Sequence, residues 1–185
     1  MSVLTEAAAK IHADRRYTVN ASAHAFLTGL GLPLAISEDI CAATFDEPLC
    51  LYQGGITVIP SSALESLNND LLYLPWLRDG YITIASGACG DPIAIDVKTT
   101  RMAYVFHDEM NHLAPDLVPS KHVVHTPLSY HDFWHLATRY DIALHDPQVG
   151  ESGLDTWLSL SGYAGVPVDS DQAESTWGRG MRVSA

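Results

Sequence analysis

Histidines are the residues of this chain whose spacing could support chemistry. Six of the nine lie in one part of the chain: His107, His112, His122, His125, His131 and His135. His131 and His135 are four residues apart, so on a helix both imidazole rings would point to the same side and could bind zinc. Their spacing matches the two histidines of a His-Glu-x-x-His motif, with Asp132 in place of the catalytic glutamate.

A metal site at this pair would need a third ligand. His107, Asp108 or His112 would supply it if their loops converged on the helix. In the alternative interpretation, which the sequence favours, His131 and His135 are solvent-facing neighbours of a buried helix stripe. We therefore predict no metal and no cofactor, and keep a His107, His131 and His135 site as a minor hypothesis.

Other common catalytic motifs are missing from the sequence. It contains no Gly-x-Ser-x-Gly nucleophile elbow, no Gly-x-Gly-x-x-Gly before a helix and no Walker motif. Cys41, Cys50 and Cys89 are odd in number and widely spaced, so we expect buried, reduced thiols and neither a disulfide framework nor a four-cysteine zinc site. These features favour a protein that binds and does not catalyse.

The charge is acidic and unevenly distributed. The formal net charge is −12, and no Lys or Arg occurs between Arg16 and Arg78. Such a surface repels the phosphates of nucleic acids and attracts a basic protein. An acidic surface that only keeps the protein in solution is the alternative interpretation. The candidate binding residues in this part of the chain are Glu38, Asp39, Asp46 and Glu47.

Length and composition are those of one folded domain. The chain has 185 residues, of which 47% are hydrophobic and 17% charged. The N-terminus has no apolar core after a basic start, as a signal peptide would, and no apolar run approaches the ~20 residues that span a bilayer. We expect a cytoplasmic protein that does not bind membranes.

Residues 81–106 carry the clearest strand pattern. Short apolar, β-prone runs alternate there with turn residues, which is typical of an antiparallel meander. Asp91 ends the first turn, where its carboxyl group is expected to accept hydrogen bonds from N–H groups of that turn. The predicted strands are Tyr81–Ala85, Pro92–Val97 and Met102–Phe106, preceded by a hairpin of Leu49–Gln53 and Ile56–Ile59 and followed by an edge strand at Val123 and Val124.

Helices are expected on both sides of this sheet. The last has the clearest start, since Ser129 can be its N-cap and Asp132 the acidic partner of a capping box. Its expected buried stripe is Tyr130, Phe133, Trp134 and Ala137. The earlier predicted helices are Thr5–Arg16, Ala23–Leu30 capped by Asn20 or Ser22, one capped by Ser37, and a short one opened by a capping box from Ser62 to Glu65.

Residues 71–77 form a dense apolar segment interrupted by Pro75. We expect this segment to belong to the core and to cover the sheet, while an aromatic rim at a partner site, formed by Trp76, stays open. The whole pattern predicts a single α+β domain with a mixed, mostly antiparallel sheet of about six strands flanked by helices.

The order of these segments resembles the SUKH superfamily, which contains bacterial immunity proteins and yeast regulators of cell-wall synthesis. Leu32-Pro33 before a helix is similar to a pair found near the start of such domains. The resemblance covers residues 27–137, and residues 141–185 are expected to form an acidic extension packed on that core. The matching residues are Trp76, Ile84, Gly87, Gly90, Asp91, Ile93, Ile95, Asp96, Val105, His107, Ser129, Tyr130, Phe133 and Trp134.

What the resemblance implies is a non-catalytic binding protein. Most often such a protein is an immunity protein that masks a toxin, frequently a nuclease. The expected partner is thus a toxin domain, and a homodimer stays open. Trp76, Asp91, Asp108 and Glu109 join the acidic residues above as candidate binding residues. The alternatives are a small metal-dependent enzyme that uses the His107–His135 cluster and a regulatory adaptor like the eukaryotic members.

Overall fold

The described part of the chain has an α+β fold built on an antiparallel sheet. The computed structural model describes residues 3–11, 19–43, 46–51, 56–87, 90, 92–105 and 123–139. Helices flank the sheet, which confirms the predicted fold class. Within these residues the six strands are β1 (Leu49–Leu51), β2 (Ile56–Val58), β3 (Tyr81–Gly87), β4 (Pro92–Asp96), β5 (Arg101–Val105) and β6 (Val123–Ser129).

The strands follow one another across the sheet in chain order, β1 to β6. Each described pair is antiparallel, so the sheet is a meander, as the alternating runs predict. The register shifts within β3 between Thr83 and Ala85, and again opposite β6 between Arg101 and Ala103. Pro127 lies at the second irregularity, where its missing N–H group suits a break in the ladder.

Helices precede, interrupt and follow the sheet in the chain. The helix-opening signals were right at two positions: Asn20 accepts hydrogen bonds from the N–H groups of Ser22 and Ala23, and the Asp132 N–H donates to Ser129 Oγ. In the described residues the α-helices are α1 (Val3–Ile11), α2 (Ala21–Gly29), α3 (Leu34–Ala43), α4 (Leu64–Asn68), α5 (Leu74–Arg78) and α6 (Tyr130–Arg139).

One cap prediction was wrong. Ser37 lies inside α3, because the helical hydrogen bonds already begin at the carbonyl of Pro33, which accepts from the N–H groups of Ile36 and Ser37. At the predicted capping box of Ser62 and Glu65, a 3-10 turn over Ser61–Ala63 leads directly into α4, whose N-cap position is occupied by Ala63.

Both faces of the central strands are buried. On one face the sheet packs against the large core made with α1, α2, α3 and α6. On the other face the short helix α5 covers the sheet, and Trp76 packs with Tyr81 and with small side chains of β4 and β5. The large core includes Ile82, Ile84, Ile93, Ile95, Leu4, Leu27, Ile40, Phe133 and Trp134.

Several predictions lie outside the described residues. They concern the turn Gln53-Gly54-Gly55, the continuation of the first helix to Arg16, and the extension at residues 141–185. Among the described helices, none combines the length and the apolar character that crossing a bilayer requires.

Candidate interaction surface

The acidic candidate residues divide into exposed and buried groups. Glu38 on α3 is exposed, as are Asp46 and Glu47 just before β1. Asp39 follows Glu38 directly but lies on the inner side of α3, where it is buried. Three of the four carboxyl groups predicted in this part of the chain are therefore accessible to a partner, and Asp39 is not.

Asp39 is instead the centre of a buried hydrogen-bond network. Its carboxyl group accepts from the N–H groups of Leu4 and Thr5, at 3.2 and 3.0 Å, and from Thr5 Oγ1 at 2.8 Å. These N–H groups belong to the first turn of α1, which has no intrahelical acceptor for them. Asp39 thus caps α1 from a different helix, and its charge suits the positive end of the helix dipole.

Tyr130 at the start of α6 completes this network. Its hydroxyl donates a 3.1 Å hydrogen bond to Asp39 Oδ2. Burial raises the pKa of Tyr130 well above its ordinary value, and the neighbouring charge of Asp39 raises the pKa further. The tyrosine therefore stays protonated and joins α6 to α3, which fixes three helices against each other.

Leu71 and Leu72 lie on the surface, although the sequence predicts a core segment. Leu71 is 79% exposed and Leu72 is 42% exposed. Asp70 holds the turn that carries them, because its Oδ1 accepts from the Leu72 N–H at 3.0 Å and its carbonyl accepts from the N–H groups of Tyr73 and Leu74. Asp70, which opens this turn, is exposed, and so is Glu65 on α4.

Asn68 ties the same turn to the sheet. Its Nδ2 donates to the carbonyls of Leu64 and Thr83, both at 2.9 Å, and its Oδ1 accepts from the Thr83 N–H at 2.9 Å. The side chain is fully buried. The end of α4 is thereby bonded to the middle of β3, so the exposed leucines follow directly on a fixed point.

The aromatic candidate Trp76 is buried under the sheet and does not form an exposed rim. Its Nε1 has no hydrogen-bond partner among the described residues. On the same face Tyr81 OH and His125 Nε2 are hydrogen-bonded at 3.2 Å, across the small side chains of Ala94 and Ala103. Burial, and then the charges of Asp96 and Asp79, raise the pKa of Tyr81 to about 12. A tyrosine with that pKa remains protonated near neutral pH, and the hydrogen bond to His125 is structural.

The predicted histidine pair is present on α6. The rings of His131 and His135 are parallel, with centroids 6.2 Å apart, and both side chains are exposed. Within the described ranges no group of three His, Cys, Asp or Glu side chains could hold a metal ion. His107, His112 and His122 lie outside those ranges, so the three-histidine hypothesis stays a prediction.

The described cysteines are free thiols. Cys41 is buried in α3, and burial raises its pKa to about 11. Cys50 is exposed on β1, so the expectation of a buried thiol was wrong at this position, and Cys89 falls outside the described residues. The pair that the structure describes forms no disulfide, in agreement with the wide spacing of the three cysteines in the sequence.

Three remaining candidates, Asp91, Asp108 and Glu109, lie outside the described residues. The sequence analysis missed the exposed leucines, the network around Asp39 and the role of Asn68. One local signal pointed to the leucines, since the polar run Asn68-Asn69-Asp70 directly precedes them and such runs favour surface turns.

Comparison of the chain with family models, with curated proteins and with solved structures finds no match.

Proposed function

We propose that this chain is a non-catalytic binding domain that acts as an immunity protein, masking a basic bacterial toxin by direct contact. The observation that carries the proposal is its acidic surface. Glu38, Asp46 and Glu47 are exposed in a part of the chain without Lys or Arg, and the net charge is −12. A nuclease toxin must itself be basic to bind its substrate, so the two surfaces would be complementary. The sequence resemblance to the SUKH superfamily points to the same function.

The mechanism is occlusion without turnover. The acidic surface attracts the toxin over a distance of about a Debye length and raises the association rate. The hydrogen bonds that join α1, α3 and α6 hold the scaffold rigid before binding. Little conformational freedom is then lost on complex formation, which favours tight binding. An immunity protein of this kind works in the cytoplasm of the cell it protects.

The test requires a toxin domain encoded by a gene beside this one, and failure to find such a gene counts against the proposal. The purified domain should bind the chain, and expression of the chain should protect cells from that domain. Absence of binding together with absence of protection would refute the proposal.

Charge reversal tests the steering. The variant with Glu38→Lys, Asp46→Lys and Glu47→Lys should associate about tenfold more slowly at low salt, and the difference should shrink at high salt. The matched neutral variant with Glu38→Gln, Asp46→Asn and Glu47→Gln should have an association rate between those of the parent protein and the charge-reversed variant. Asp39 stays unchanged in both variants because it is buried. An association rate that is the same in all three proteins would show that this surface does not steer the toxin.

The exposed histidines separate this function from a metal-dependent enzyme. Replacing His131 and His135 with Ala should leave toxin affinity and protection unchanged if the chain acts by binding alone. Protein purified without a histidine tag should also contain less than about a tenth of an equivalent of zinc or iron. Stoichiometric metal that is lost in the double variant would favour the enzyme.

A further inference from the structure

Leu71 and Leu72 are two adjacent exposed leucines on a turn that hydrogen bonds hold in place. Leu71 is 79% exposed and is followed by Leu72 at 42%, whereas Leu34, the next most exposed leucine, is 59% exposed and lies between the smaller exposed residues Pro33 and Ala35 at the start of α3. Single exposed apolar residues are common on protein surfaces and need no explanation. An adjacent pair on a hydrogen-bonded turn is less easily explained by chance.

The turn is held from both sides. Asn68 bonds it to β3 through two hydrogen bonds with Thr83, and Asp70 closes it with its carboxyl group and its carbonyl. On the far side, Tyr73 packs against the cluster that contains Trp76 and Tyr81. The leucines therefore need no reordering before contact, which is the property of an interface anchor.

Charge around the turn selects the partner. Asp70 is exposed directly before the leucines, and Glu65 is exposed on α4, five residues before Asp70. Burial, and then the charge of Asp70, raises the pKa of Tyr73. The next basic residue along the chain is Arg78, which is exposed at the end of α5. An anionic membrane would be repelled by this surface, and a second copy of the chain would bring one net charge of −12 against another. A basic protein with an apolar depression fits it best.

We propose that Leu71 and Leu72 are the apolar anchor with which this chain docks a basic protein, with Glu65 and Asp70 as its acidic rim. This inference adds a contact site to the proposed immunity function. The statement that the partner is a toxin rests on that proposed function. Partner residues at the anchor would be apolar, and those around it would be Lys or Arg. The anchor would contribute mainly to a slow dissociation rate, while the rim would contribute to association.

The first experiment measures affinity for the toxin domain encoded by the neighbouring gene. Leu71→Ser should weaken binding by about tenfold or more, mostly through faster dissociation, and Leu72→Ser should weaken it less. Leu34→Ser is the matched control, because it removes an exposed leucine that has Glu38 one turn away on the same helix. All three variants should unfold at the same denaturant concentration as the parent protein. Unchanged affinity in Leu71→Ser, or an equal loss in Leu34→Ser, would overturn the anchor and leave the immunity function standing.

The second experiment finds the partner without assuming a toxin. A photoreactive amino acid is placed at position 71 or, as the control, at position 34, and crosslinking is performed in the cells that make the protein. A basic protein crosslinked only from position 71, and bound about tenfold more weakly by Leu71→Ser after purification, supports the anchor. If that protein is not toxic, the immunity function fails while the anchor stands. Crosslinks to a second copy of the chain, to lipid, or to no partner at all overturn it.

Discussion

Tyr130 and Asp39 are 91 residues apart in the chain, and the Tyr130 hydroxyl donates a buried 3.1 Å hydrogen bond to Asp39 Oδ2. The same carboxyl group accepts two backbone N–H groups from the first turn of α1. One buried side chain thus joins the first and the last helix of the described fold.

Removing this hydrogen bond should destabilise the protein measurably. Tyr130→Phe is expected to lower the free energy of unfolding by about 2 kcal/mol, since it removes a hydrogen bond to a charged group and keeps the ring. Asp39→Ala should cost more, about 3 kcal/mol or above, because it also leaves the Leu4 and Thr5 N–H groups without their acceptor. Urea unfolding gives both values. Glu38→Ala, an exposed neighbour, is the control and should stay within about 0.5 kcal/mol.

Coupling between the two residues provides a stricter check. If the hydrogen bond accounts for the Tyr130→Phe effect, the loss in the double variant will be smaller than the sum of the two single losses. Strictly additive losses would show that the contact contributes little.

The two neighbouring asparagines at the end of α4 should respond very differently to the same change. Asn68→Ala removes three buried hydrogen bonds to Leu64 and Thr83 and should cost about 3 kcal/mol. Asn69→Ala removes one exposed hydrogen bond to the Glu65 carbonyl and should cost about 0.5 kcal/mol. Chemical denaturation measures both, and equal losses would contradict the role given to Asn68.

Alkaline pH should weaken the fold through Tyr81. Its pKa rises from 10 in a model compound to about 12 in the fold, so the unfolded chain releases this proton first. The contribution to stability is complete below pH 10 and is lost as the pH rises through 12. Between these values the parent protein should lose about 1–2 kcal/mol more than Tyr81→Phe does. Unfolding curves at pH 9, 10, 11 and 12 measure the difference, and parallel pH profiles would rule out the shift.

The two described thiols should differ in reactivity. Burial raises the pKa of Cys41 from 9 to about 11, so at pH 8 its thiolate fraction is about 100-fold lower than that of an ordinary cysteine. Cys50 is exposed and should react freely with a disulfide reagent. In a Cys89→Ser background the reaction should therefore show one fast thiol, which Cys50→Ser abolishes. A fast reaction that survives in Cys50→Ser would mean that Cys41 is accessible.

Local patterns predicted most of the sheet and two helix starts. Alternating apolar residues bounded by turns define β3, β4 and β5, and Ser129 with Asp132 defines the start of α6. Each of these signals acts between residues close in sequence, where spacing alone carries the information. The predicted and observed ends of β3 and β4 differ by one or two residues, because the apolar pattern does not show where the hydrogen bonds between strands stop.

The candidate site was harder to predict, because its determining contacts are distant in sequence. The sequence predicts that an acidic residue after Ser37 belongs to the start of a helix. In the structure Asp39 instead accepts hydrogen bonds from Thr5 and Tyr130, which are separated from it by 34 and 91 positions in the chain. In the same way, the apolar sequence around Leu71 and Leu72 predicts core residues, but both are exposed, in a turn that follows the attachment of Asn68 to β3. Whether a carboxyl group or a leucine faces water depends on such contacts.

The chain-order meander has a consequence for synthesis on the ribosome. Each strand pairs with the one made just before it, so the sheet can grow hairpin by hairpin as the chain emerges. The packing of α1 cannot be completed in this way, because α1 also contacts α6, whose Tyr130 is translated far later. The contacts between α1 and α6 therefore form only after the last described helix has left the exit tunnel.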